Sequence, residues 1–116
     1  MPVPLQKKRD LIRLLNITYS KGVDAELELR IQEDPEAETV DARNDELRHQ
    51  INLLRAEIAT TWAGTASRLV TDIRAVNRGM QTAIRDIEQS IKVAERVLKV
   101  VGYLDEAIET AAKMLA

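Results

Sequence analysis

The stretch LVTDIRAVNRGMQTAIRDIEQSIKVAERVLKVV, residues 69–101, decides the fold. Within it Leu69, Ile73, Val76, Met80, Ile84, Ile87, Ile91, Ala94, Leu98 and Val101 recur at spacings of four and three. That rhythm holds one apolar stripe on one side of a helix, and over so many turns it demands neighbouring helices to lie against. The spacing predicts a C-terminal helix over residues 65–115, about 75 Å long at 1.5 Å per residue if continuous. Gly79 and Gly102 are its expected weak points, because glycine lowers helix propensity.

Toward the C-terminus the stripe widens. Val93, Val97, Val100, Leu104 and Ile108 form a second apolar face, about 100° from the first. A single helix with two such faces needs two neighbours, so these five residues are the expected partner interface, for a homo-oligomer or another helical protein.

Upstream, Leu47, Ile51, Leu54 and Ile58 repeat the four-three spacing and predict a second arm over residues 39–63, ending near Trp62 and Gly64. Before it, residues 22–38 read as an acidic connector, a short helix or a strand. Val23, Ala25, Leu27, Leu29 and Ile31 alternate with polar residues as in a strand. Helix is favoured, because Ala, Leu and Glu are helix formers and a lone strand lacks a partner. Asp34-Pro35 marks the clearest break, since the residue before proline is pushed out of helical geometry. A first helix spans residues 5–21, closed by Gly22. The expected fold is all-α: one domain over residues 1–116, an elongated antiparallel bundle with coiled-coil-like packing and a long C-terminal helix.

Composition agrees. The 116 residues are 45% hydrophobic and 31% charged, a globular balance with net charge -2. There is no Phe, one Trp and two Tyr, so the core must be aliphatic and without large anchors. The absence of Cys excludes disulfides, thiolate catalysis and Cys-bound zinc. No apolar signal-like segment precedes residue 10, and the longest uncharged run, Ile58 to Ser67, is too short to span a bilayer. A cytoplasmic protein is the expectation.

Chemistry-bearing motifs are few. Glu46 and His49 have the E-x-x-H spacing used by di-iron bundles, but His49 falls about 200° from Leu47 and should face water. It is the only His. No nucleophile accompanies it at catalytic spacing, and the four glycines are scattered singly, so no phosphate loop forms. No enzyme, metal or cofactor is expected.

Charge is segregated instead. Ten acids lie between Asp24 and Glu46, against only Arg30 and Arg43. Arg74, Arg78, Arg85, Lys92, Arg96 and Lys99 would project within about 60° of one another on a continuous C-terminal helix, forming a basic ridge. The expected function is therefore a non-enzymatic interaction or assembly subunit. The alternative is binding of a polyanion, nucleic acid or an anionic surface, through that ridge. Overall acidity and scarce aromatics weigh against nucleic acid, and the missing bulky anchors weigh against a membrane.

Overall fold

Glycine does not end the helices of this chain. The computed structural model, which describes residues 2–115, contains α1 (Leu5–Ile31), α2 (Ala37–Ala56), α3 (Ala66–Glu88) and α4 (Val93–Met114). Gly22, Gly79 and Gly102 all lie inside helices. The first helix therefore runs ten residues beyond its expected end at residue 21, and the helical reading of residues 23–31 holds. The second arm, expected over 39–63, covers Ala37–Ala56.

The terminations come from the left-handed residues Glu33 (φ 56) and Ser90 (φ 57). After α1, Asp34 N–H donates to Leu29 C=O and Glu33 N–H to Arg30 C=O; after α3, Ile91 N–H donates to Asp86 C=O and Ser90 N–H to Ile87 C=O. Both are Schellman closures, which recover carbonyls that a helix end would otherwise leave unpaired. The usual glycine is absent from both; Asp34-Pro35 still marks the first break in the sequence, whereas nothing comparable marks the one at Ser90.

The break at Ser90 corrects the expected rod. Residues 65–115 are not one helix broken at Gly79 or Gly102, but two helices joined by a tight turn at residues 89–92. The two apolar faces are thereby resolved into one core. Ile73, Val76, Met80, Ile84 and Ile87 of α3 point inward, whereas Ile91 and Leu98, next on the same stripe, are 42% and 74% exposed. On α4 the second face takes over, with Val97, Val100, Leu104 and Ile108 all buried. Placing Ser90 and Lys92 (φ 46) in the left-handed region costs about 1 to 2 kcal/mol each. Burying four aliphatic side chains gains about 2 kcal/mol apiece, so the turn wins.

Two antiparallel hairpins, α1–α2 and α3–α4, thus stack side by side, with α1 against α3 and α2 against α4. Helices α1 and α3 run parallel, since Thr18 meets Asn77, Lys21 meets Gln81 and Gln32 meets Ile87 in rising order. The bundle measures 44 × 22 × 17 Å, its long axis set by α1, whose 27 residues span about 40 Å. Because α2 and α3 occupy diagonal corners, their connection, residues 57–65, crosses one end of the bundle. Trp62 is buried in that crossing and its Nε1–H donates to Glu57 C=O at 2.9 Å. Lys8, itself buried, donates from Nζ to Ile58 C=O (2.9 Å) and to Thr60 C=O, and stands 5.3 Å from the Trp62 ring centroid. Ala63 N–H reaches Met114 C=O, tying the crossing to the end of α4.

Glycine serves instead at close approaches between helices. The Asn44 side chain of α2 occupies the space over Gly22, and the Tyr103 ring of α4 the space over Gly79. The interior is not wholly apolar. The Thr18 hydroxyl donates to Asn77 Oδ1 at 2.6 Å and Asn77 Nδ2 donates to Leu14 C=O, whereas neither polar atom of buried Asn44 has a hydrogen-bond partner among the described residues.

Candidate functional site

The surface expected to hold a partner is inside the protomer. Val97, Val100, Leu104 and Ile108 are covered by the other helices of the same chain, and Val93 is partly buried against the same core. Their side chains supply the α4 share of one hydrophobic interior, so they offer no face to a second molecule. The correction has one cause: the turn at residues 89–92 folds α4 back on α3, and intramolecular packing removes the apolar surplus.

The basic ridge is divided by the same turn. Arg74, Arg78 and Arg85 remain on α3, Lys92 sits at the left-handed start of α4, and Arg96 and Lys99 lie on α4. Arg96 is engaged by Asp86 at 2.7 Å across the hairpin, both side chains about one quarter exposed. Arg74, Arg78 and Arg85 are exposed and, among the described residues, form no ion pair. The acidic segment from Asp24 to Glu46 does not neutralise them; its contacts to cations are Arg30 with Glu26 and Asp41, and Arg48 with Asp45.

What remains on the outside is a different apolar stripe. On α1, Leu27 and Ile31 are 58% and 65% exposed, and Ile17 and Val23 are also largely exposed. The core face of α1 is carried by Leu11, Leu15, Thr18, Gly22, Ala25 and Leu29. Taking 100° per residue, Val23, Leu27 and Ile31 centre about 160° from that face, so they point away from the bundle. Their strand-like alternation is thus a second face on a helix whose first face is already buried. That face is legible in the sequence only as the alternation over residues 23–31, a pattern that a helix and a strand share.

This stripe and the free arginines adjoin. Gln81 of α3 accepts a hydrogen bond from Lys21 of α1, which marks the seam between the two helices. Arg74, Arg78 and Arg85 lie within about 60° of Gln81, and Ile17 and Ile31 within about 80° of Lys21, both toward solvent. The outer α1–α3 side therefore sets Ile17 and Ile31 beside a cationic strip, whereas Leu27 and Val23, about 120° and 160° from Lys21, turn to solvent and toward the α2 flank. Two acids stand on the boundary itself, Glu28 about 20° from Lys21 and Glu88 about 20° from Gln81, and neither forms an ion pair with these arginines among the described residues. On the far flank Arg30 is occupied, and its hydrogen bond to Glu26 raises its pKa above the ordinary guanidinium value.

His49 is exposed, as its helical phase requires, and Glu46 beside it is exposed too. Among the described residues no group of three or more His, Asp or Glu is placed to hold a metal ion. No described helix is long and apolar enough to cross a membrane. Comparison with family models, curated proteins and solved structures finds no match.

Proposed function

We propose that this chain is a non-enzymatic interaction module that docks an acidic amphipathic helix of another protein on the outer side of α1 and α3. The observation that carries this reading is the exposure of Ile17 and Ile31 on the α3 side of α1, with Leu27 one turn before Ile31, beside arginines that form no ion pair among the described residues. A partner helix with an apolar stripe would cover Ile17, Leu27 and Ile31, and carboxylates on its flank would meet Arg78 and Arg85. The apolar contact supplies affinity, while the charges set orientation and partner choice. Self-association through the Val97–Leu104 face has lost its motive, because the protomer seals that face itself.

Photo-crosslinking in cells tests the proposal, with a benzophenone amino acid at Ile31 or at Arg78 and a control at Glu106. The same protein captured from both test positions, mapped by mass spectrometry to an acidic amphipathic segment, supports it. Leu27→Asp with Ile31→Asp should abolish the adduct while leaving the circular dichroism unchanged. Adducts no different from the control, a non-acidic segment, or a second copy of this chain would each overturn it.

A second reading, contact with a polyanion, is favoured by the three unpaired arginines alone. Phosphate neutralisation predicts binding that weakens steeply with salt and is lost on Arg78→Glu with Arg85→Glu. An electrophoretic assay at low salt that shows no complex refutes it.

A further inference from the structure

We infer that the groove between α3 and α4 is a binding site for a small soluble phosphate monoester, a site separate from the outer α1–α3 surface. The groove encloses about 290 Å³ and is lined by Gly79, Thr82, Ala83, Arg96, Lys99 and Tyr103. Its existence follows from the small residues that α3 turns toward α4. Gly79 leaves room for the Tyr103 ring to lie where a Cβ would stand, and Ala83, one turn on, is too short to fill the space above it.

Donors dominate the polar lining. Arg96 Nε lies 2.7 Å from Asp86 as an ion pair without a hydrogen bond, and the Arg96 Nη atoms form neither a hydrogen bond nor an ion pair among the described residues, so they are open to a ligand. Among the described residues Lys99, which is exposed, forms no ion pair and the Tyr103 hydroxyl makes no hydrogen bond. Thr82 already donates its hydroxyl hydrogen to Arg78 C=O, so it serves as wall and acceptor. Guanidinium, ammonium and phenol thus offer donors from three side chains around one recess. A phosphate monoester presents three terminal oxygens, one for each. A phosphate monoester also brings close to two negative charges to the two cations, whereas a carboxylate brings one. The remaining volume and the half-buried Tyr103 ring accommodate the short organic part.

Titration followed by amide chemical shifts in a nitrogen-15 spectrum tests the site, using glycerol phosphate, with glycerol and acetate as controls. Saturable shifts confined to the amides of residues 79, 82, 83, 96, 99 and 103, from glycerol phosphate and not from the controls, are the expected result. Lys99→Glu, on an exposed position, should weaken binding about tenfold or more, as loss and reversal of a charge-assisted hydrogen bond would. Tyr103→Phe, which keeps the ring over Gly79, should weaken it several-fold, and Lys113→Glu, an equal charge change at the other end of α4, should leave it unaltered. Absence of saturation, equal shifts from acetate, or equal losses from Lys99→Glu and Lys113→Glu would each overturn the assignment. Vesicles carrying phosphatidic acid separate the sources: sedimentation of the wild type but not of Lys99→Glu would assign the site to a lipid headgroup and refute the soluble ligand.

Discussion

Alanine at Gly22 and at Gly102 should change stability in opposite directions, although both glycines sit in helix interiors. Relative to glycine, alanine in a helix gains about 1 kcal/mol, chiefly because the unfolded chain loses freedom. At Gly102 nothing lies within 4 Å of an added Cβ, so that gain should appear in full. At Gly22 the Cβ would overlap the Asn44 side chain and press on Leu104, residues that are 2% and 0% exposed. Overpacking of such a site costs roughly 1 to 3 kcal/mol. The net expectation is a loss of about 1 kcal/mol for Gly22→Ala against a gain of about 1 kcal/mol for Gly102→Ala. At this chain length the two variants should separate by roughly 8 °C in Tm, on the order of 4 °C to either side of the wild type. Urea titration should give equal slopes and midpoints shifted in the same two directions. Equal stabilisation of both variants would refute the packing of α2 and α4 over Gly22. Destabilisation by Gly102→Ala would refute a continuous, uncovered helix at that position.

Two further substitutions probe the polar features of the bundle. Lys8→Met keeps the length of the side chain but removes the ammonium that joins Ile58 and Thr60 carbonyls beside Trp62; it should cost about 2 kcal/mol and increase protease cleavage in the 57–65 crossing. An unchanged urea midpoint would show that the crossing holds without Lys8. Asn44→Leu replaces a buried amide with no hydrogen-bond partner among the described residues by an apolar group with the same number of heavy atoms, and should raise stability by about 1 kcal/mol. A marked loss in the denaturation midpoint would show that the amide is satisfied in solution.

The helical class and most core positions were legible because helical periodicity is a local property. Ile73, Val76, Met80, Ile84 and Ile87 were on the expected stripe and are buried, and the Asp34-Pro35 break lies between α1 and α2. The long C-terminal rod was misread for an equally local reason. Left-handed helix ends usually carry glycine, but Glu33 and Ser90 take that role here, at a cost of about 1 to 2 kcal/mol each that the sequence does not display. The candidate surface failed at the same step. A second apolar face on one helix looks like an interface until the chain folds back and covers it, while the strand-like alternation of Val23, Leu27 and Ile31 does not show that the core face of α1 lies elsewhere.

Amino-acid order by itself determined that this chain is helical, aliphatic in its core, and carries a surplus of apolar and basic faces, since propensity, spacing and charge are properties of neighbours along the chain. Only the tertiary structure decided which surplus is hidden and which is left outside. That choice depends on where the chain reverses, and reversal at residues 89–92 is selected by the total burial it permits, a sum over four helices that no single segment contains.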